Sequence, residues 1–200
     1  MATRLEQAIA LAEEAHEAGE FDDMLRFADE ALTLDPRSTA ALDLKANALA
    51  ELGDWEAADE LFAALMKADP GDATLMLAAA DVKIRQPGDD RERIEAGLKL
   101  LERAWPALSQ SEELSIETEL LRGVACSQLG EHENAIEAFG RVLDLDPDHG
   151  EAQLERALSR FALGAHRPGA ARLRAADPRG PRRRVERALP GPHRRAAAGA

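Results

Sequence analysis

Glycine and proline recur along this chain at a fixed interval. The sequence numbers of Gly19 and Gly53 differ by 34, and those of Pro36 and Pro70 also differ by 34. Both residue types end helices, glycine by taking a positive φ and proline by lacking a backbone N–H. Because two independent helix-ending residues keep one interval, the sequence predicts a repeated structural unit.

The same interval returns near the end of the chain, after one longer unit. The sequence numbers of Gly130 and Gly164 again differ by 34. Gly53 and Gly130 are separated by 77, and so are Pro70 and Pro147. Because this separation is longer than two intervals, one unit of about 43 residues is predicted to lie in the middle.

The composition favours helices within these units. Of 200 residues, 45% are hydrophobic and only 4% are aromatic, with no tyrosine, so alanine, leucine and other aliphatic residues must build the core. Good helix formers dominate, which predicts an all-α protein. Each of Pro36, Pro70 and Pro147 follows a glycine at a constant separation of 17 in sequence number. Each unit is therefore predicted to run helix, glycine turn, helix, proline turn.

This pattern resembles the tetratricopeptide repeat, a family of helix-turn-helix units that are about 34 residues long. The residues that carry the resemblance in the second and fourth units are Leu42, Ala46, Leu49, Gly53, Trp55, Ala58, Phe62, Pro70, Gly123, Gly130, Ala135, Phe139 and Pro147. The resemblance implies a right-handed α-solenoid of antiparallel helix-turn-helix repeats, with about four hairpins and a C-terminal capping helix.

The repeat domain is predicted to cover residues 3–164. Its units lie at about 5–38, 39–71, 72–113 and 114–149, and the capping helix at 150–164 is expected to cover the apolar edge of the fourth unit. The third unit departs most from the pattern. It is predicted to form helices at 73–85 and 91–105, with an extended loop at 86–90 and a second helix stopped by Pro106.

The charge of the chain is divided between an acidic body and a basic tail. The net charge of −13 combines −21 over residues 1–165 with +8 over residues 166–200, where ten arginines accompany two carboxylates. Residues 165–200 are rich in Arg, Pro and Ala and cannot bury much apolar surface. Two interpretations stay open: a genuine, mostly disordered basic arm, or an out-of-frame translation.

Several classes of protein are disfavoured by the sequence. The single cysteine cannot form an internal disulfide, and no zinc-type Cys/His spacing occurs. No apolar run reaches the roughly 18 residues of a membrane span, and the first residues lack an apolar signal core. The acidic body disfavours nucleic acid and anionic membranes. We therefore expect a soluble, cytoplasmic protein with no cofactor, metal or small-molecule substrate.

No catalytic signature stands in its required context. His132 and Glu133 begin like a zinc-protease helix, but Ile136 stands where the second histidine is needed. Cys126 falls on a helix near a core position, which favours a small buried hydrophobic residue over a nucleophile. The chain is therefore predicted not to be an enzyme.

Other polar clusters are interpreted as helix caps. Thr3 with Glu6, and Ser109 with Glu112, have the spacing of a capping box. Asp146, Asp148 and His149 crowd one turn, where capping explains them better than weak binding of a divalent ion.

In the family, the first helices of successive units line a concave groove that binds peptides or proteins. The residues expected to face this groove are Ile9, Glu13, His16, Asp43, Asn47, Glu51, Leu120, Val124 and Ser127. Some members clamp a C-terminal carboxylate there with Lys and Arg. Of the corresponding positions here, only Asn47 agrees, so binding of a chaperone tail is disfavoured.

The sequence therefore predicts a scaffold or adaptor that binds a basic or amphipathic segment of a protein partner in an acidic groove. One alternative is the recruiting module of a longer enzyme, such as a peptidase or transferase, whose catalytic domain is missing. A less favoured alternative is nucleic-acid binding through arginines 182–184 and 187 of the tail.

Overall fold

The computed structural model describes residues 2–166, and in this range the chain forms nine α-helices and no strand. Met1–Leu163 is one compact unit of the chain. The helices are α1 (Arg4–Ala18), α2 (Phe21–Leu34), α3 (Thr39–Glu51), α4 (Trp55–Ala68), α5 (Ala73–Arg85), α6 (Arg91–Leu108), α7 (Glu112–Gln128), α8 (His132–Leu145) and α9 (Gly150–His166). The all-α prediction is confirmed, and the basic tail from residue 167 lies outside the described residues.

Glycine reverses the chain inside three of the hairpins. Gly19, Gly53 and Gly130 have φ values of 72°, 86° and 78°, a left-handed conformation that side-chain-bearing residues rarely adopt. Each lies in the short turn between a first helix and the second helix of the same unit. The predicted glycine turns are therefore confirmed.

Aspartate and proline form the turns between units. Asp35, Asp69 and Asp146 each end a second helix, and each Oδ1 accepts a hydrogen bond from the backbone N–H two positions later, at 3.0, 3.1 and 3.1 Å. This local hydrogen bond stabilises the turn while the intervening proline prevents the helix from continuing. The capping interpretation of the turn at Asp146 is confirmed.

Within a unit, a small residue on the first helix lets a large residue on the second helix approach. Ala46 and Phe62 are both fully buried in one cluster. In the fourth unit, a Cβ added to Gly123 would overlap the ring of Phe139, so only glycine fits this contact. These contacts bury the apolar face of the hairpin.

The third unit corrects one prediction. Helix α5 has the expected bounds, but α6 continues through Pro106 to Leu108 instead of stopping at the proline. Pro106 cannot donate a backbone hydrogen bond to the residue four positions earlier, but the continued turn buries Leu108, which is 1% exposed.

The longer α6 also moves a predicted cap. Ser109 follows α6 as its C-terminal cap, so the capping box with Glu112 is wrong. Ser111 caps α7 instead, and its Oγ accepts from the N–H of Leu114 at 3.4 Å. The box of Thr3 with Glu6 is confirmed by two reciprocal hydrogen bonds of 2.7 and 3.2 Å.

Helix α9 follows the fourth unit and packs on it through Ala152. This alanine is fully buried in a cluster with Phe139 and Val142 of α8. The helix was expected to end at Gly164 but runs to His166, because Gly164 has no positive φ and makes no hairpin turn like that at Gly130.

Candidate functional site

A cleft lies along the first helices of the four units. Its volume is about 640 Å³, and α1, α3, α5 and α7 contribute all but one of its lining residues. These residues are His16, Asn47, Ala50, Glu51, Trp55, Thr74, Leu77, Ala78, Asp81, Arg85, Leu114 and Glu117. The cleft therefore lies on the helices that the repeat register assigns to the groove.

The structure brings three of the predicted groove residues together in this cleft. His16, Asn47 and Glu51 line it from the adjacent helices α1 and α3. Asn47 is held in place by its own helix, because its Nδ2 donates to the backbone carbonyl of Asp43 at 3.0 Å. Asp43 is half-buried one turn earlier on α3 and lies outside the lining.

The other predicted residues also lie outside the lining of the cleft. Glu13 is exposed on α1, and Ile9 packs against a small alanine cluster. Leu120 is only 6% exposed and belongs to a buried cluster that includes a residue of α9, while Val124 and Ser127 are half-buried. Because Leu120 is covered in this way, the fourth unit contributes to the cleft from the N-terminal half of α7 instead.

Residue-level analysis of the sequence did not identify the contribution of α5. Asp81 and Arg85 lie in the cleft, one repeat interval after Asn47 and Glu51. The interval from Pro36 to Pro70 carries the register to α5, so this signal was present in the sequence. The glycine and proline of the third unit are displaced from the regular interval, so the register of α5 was not recognised from the sequence.

Two lining residues of the cleft form an ion pair on α5. Arg85 Nε lies 2.6 Å from Asp81 Oδ1, and Arg85 Nη1 lies 3.7 Å from Glu151 Oε1 at the start of α9. Burial raises the pKa of Asp81, and the nearby Glu151 carboxylate raises it further, while Arg85 lowers it. Burial is the main cause of the raised pKa, so it outweighs the stabilisation that the Arg85 guanidinium gives to the charged carboxylate.

Two further carboxyl groups near the cleft also have raised pKa values. Burial is the main cause of the raised pKa at Glu117, and Asp81 adds to it while Arg85 opposes it. Burial is likewise the main cause of the raised pKa at Asp43, where Asp72 adds to it. Desolvated carboxylates without enough positive charge favour the approach of a cation.

The remaining candidates for chemistry are structural. Cys126 is 6% exposed, and burial raises the pKa of its thiol, which disfavours the reactive thiolate. His132 begins α8 after the glycine turn at Gly130, so the His132–Glu133 pair lies at a helix start. No group of three or more His, Cys, Asp or Glu residues able to hold a metal ion occurs between residues 2 and 166.

None of the helices in the described part of the chain is long and apolar enough to cross a membrane.

Comparison with known protein families finds the repeat in two segments of the chain. A tetratricopeptide repeat model matches residues 116–149, and a second tetratricopeptide repeat model matches residues 41–74. No curated protein sequence matches the chain.

Solved structures of low sequence identity share the fold. PilF of Pseudomonas aeruginosa has a TM-score of 0.66 at 20% identity, over 85% of this chain and 72% of that one. A crystal structure of the MamA protein has a TM-score of 0.59 at 18% identity, over 96% of this chain and 100% of that one. The first repeat domain of Spaghetti (RPAP3), bound to the HSP90 peptide SRMEEVD, has a TM-score of 0.54 at 23% identity, over 65% of this chain and 96% of that one.

Proposed function

We propose that this chain, which belongs to the tetratricopeptide repeat proteins, is a non-catalytic scaffold that binds a basic, amphipathic segment of a partner protein in the cleft of its first helices. The observation that carries the proposal is the excess of carboxylates over guanidinium groups among the lining residues of a cleft made by four consecutive units. Tetratricopeptide repeat proteins are generally non-catalytic scaffolds.

The charges of the cleft favour a cationic ligand. Glu51, Asp81 and Glu117 line it, and the one guanidinium among the lining residues, Arg85, is already engaged by Asp81 at 2.6 Å. A lysine or arginine of a ligand would form favourable ion pairs with these carboxylates, and burial raises the pKa of two of them, Asp81 and Glu117. Charge complementarity of this kind also raises the rate of association and makes it sensitive to salt.

The cleft is also partly apolar, which supports an amphipathic ligand. Trp55, Ala78 and Leu114 contribute apolar surface from three different helices. An aromatic side chain at the edge of a cleft provides a large contact area with little loss of rotamer freedom. A segment with basic residues on one face and aliphatic residues on another would satisfy both parts.

The neighbour with a bound peptide provides a contrast. Its ligand, SRMEEVD, has three acidic residues and one arginine. The carboxylates of the present cleft would repel such a ligand, so we propose a ligand of the opposite charge. This agrees with the absence of a Lys and Arg clamp at Glu13, Asp43 and Val124.

The proposal is tested by measuring peptide affinity with charge-inverted ligands. A short amphipathic peptide carrying several lysines is labelled, and its binding is followed by fluorescence anisotropy, beside the same peptide with glutamates in place of the lysines. The lysine peptide is expected to bind, and its affinity to fall as salt rises. Equal binding of both peptides, or binding by neither, would reject the proposal.

A variant of the cleft identifies where the peptide binds. The double substitution Asp81→Asn and Glu117→Gln removes two carboxylates and is expected to weaken the lysine peptide about tenfold or more, a range typical of charge pairs at an interface. Glu60→Gln, a change on α4 outside the cleft, is the matched control and is expected to leave affinity unchanged. The cytoplasmic location expected from the sequence stays a prediction.

A further inference from the structure

Helix α9 turns an apolar stripe outward. Leu154, Leu158 and Phe161 are 59%, 51% and 72% exposed, and Ala157 between them is exposed as well. Their spacing of i, i+3, i+4 and i+7 places all four on one face of the helix. The opposite face, which contains the fully buried Ala152, packs on the fourth unit. The helix therefore has an apolar side toward solvent, the reverse of the usual arrangement.

The repeat register shows what kind of element covers this face in the other units. Ala157 follows Gly123 by one repeat interval, and Gly123 lies against Phe139 of the second helix of its own unit. The corresponding residues of the first three units are each 0% exposed: Ala12, Ala46 and Ala80. Among these equivalent positions of the described chain, Ala157 alone is exposed to solvent. The stripe around it therefore corresponds to the surface on which a second helix packs in the other units.

Helix α9 also carries the features of a helix that fits such a surface. The second helices α4 and α8 present a small residue followed four positions later by phenylalanine, at Ala58 with Phe62 and at Ala135 with Phe139. Ala157 and Phe161 repeat this spacing on α9. One face of α9 therefore holds both the small receiving residue and the large inserting residue.

We propose that this stripe is a self-association site, at which the α9 helices of two copies of the chain pack antiparallel about a two-fold axis between Ala157 and Leu158. A two-fold interface requires a patch that is complementary to itself. In this arrangement the Phe161 ring of one copy lies beside Leu154 of the other, and the two Ala157 residues allow the close approach of the helices. The pairing is independent of the cleft on α1, α3, α5 and α7.

The full-length chain provides the test, by sedimentation velocity over a series of concentrations. A reversible monomer–dimer equilibrium is expected, and Leu158→Glu is expected to weaken it about tenfold or more, because a charge would be buried at the interface. Leu34→Glu adds the same charge at a leucine that is 47% exposed at the end of α2, and is expected to change nothing. Helical content by circular dichroism shows whether each variant is folded.

Cysteine cross-linking tests the register without a disruptive charge. In a Cys126→Ala background, two copies of residue 157 would be offset by about 1.5 Å along the helices and two copies of residue 154 by about 10 Å, at a rise of about 1.5 Å per residue. A disulfide needs Cα atoms within about 7 Å. Ala157→Cys is therefore expected to form a disulfide-linked dimer under mild oxidation, and Leu154→Cys is not.

Three results would overturn the proposal. The first is a chain that stays monomeric at all concentrations, whatever else then covers the stripe. The second is an equal effect of Leu158→Glu and Leu34→Glu on association. The third is cross-linking of Leu154→Cys as readily as Ala157→Cys, which would place the two-fold axis elsewhere.

Discussion

At the scale of single residues, two glycines in regular helix separate the effect of packing from the effect of helix propensity. Gly123 faces the ring of the fully buried Phe139, whereas a Cβ at Gly140 of α8 would meet nothing within 4 Å. Gly123→Ala is expected to destabilise the fold by about 1–3 kcal/mol through overpacking. Gly140→Ala is expected to stabilise it by about 0.5–1 kcal/mol, because glycine disfavours helix. Urea unfolding measures both, and a Gly123→Ala variant as stable as the wild type would contradict the packing account.

The carboxyl groups near the cleft predict a specific pH dependence. Burial raises the pKa of Glu117 above its ordinary value, so the folded state holds this proton to higher pH than the unfolded state does. The folded state therefore gains stability from this group as pH falls from neutral through the raised pKa, and loses it as pH rises. Asp43 and Asp81, whose pKa values are also raised, act in the same direction.

Glu117→Gln removes this titration. The variant is expected to be more stable than the wild type at pH 7, by less than about 1 kcal/mol because the exposed side chain is partly screened by solvent. The difference is expected to vanish near pH 4, below the usual glutamate pKa of about 4.3. Urea unfolding at the two pH values measures this, and a variant less stable at pH 7 would show that the carboxylate is compensated.

The residue scale also shows where sequence analysis reached its limit. Of the predicted groove residues, His16, Asn47 and Glu51 line the cleft, because α1 and α3 keep the regular register. The same interval leads to Asp81 and Arg85, but the irregular third unit hid them. Leu120 of α7, another predicted groove residue, is buried in a cluster that includes a residue of α9. No local pattern in the sequence encodes this packing.

At the scale of elements, the hairpin turn depends on a left-handed residue. Gly53 has φ 86°, and an alanine there is expected to destabilise the fold by about 1–2 kcal/mol. Gly71 follows the next proline without a positive φ, and a Cβ there would make only an ordinary contact of 3.5 Å with Asp69 Oδ1. Gly71→Ala is expected to be neutral or slightly stabilising. Thermal unfolding of the two variants tests the assignment, and equal losses would contradict it.

The bounds of elements were less predictable than their existence. A proline was expected to end α6, and the helix instead continues until Leu108 is buried. The gain from burying a leucine exceeds the loss of one backbone hydrogen bond in the last turn of a helix. The extra turn shifted the N-terminal cap of α7 from Ser109 to Ser111. The burial of Leu108 therefore changed both the predicted end of α6 and the predicted cap of α7.

At the scale of the whole molecule, the interval between helix-ending residues determined the fold. Each unit is a helical hairpin in which a small residue packs against a large one. Such a hairpin is stabilised by stacking on its neighbours, so four of them in a row imply a solenoid. The position of the cleft follows from this, because α1, α3, α5 and α7 are the first helices of four successive units. The identity of the ligand does not follow, because it depends on charges that vary within the fold.

The measurement that tests the account most directly is to map the binding surface of the lysine peptide by backbone NMR during a titration of the full-length chain. The account predicts that chemical shifts change on α1, α3, α5 and α7, with the largest changes around Glu51, Asp81 and Glu117, whose carboxylates line the cleft. Changes confined to α2, α4, α6 and α8 would contradict it, because the ligand would then bind the second helices and not the acidic cleft.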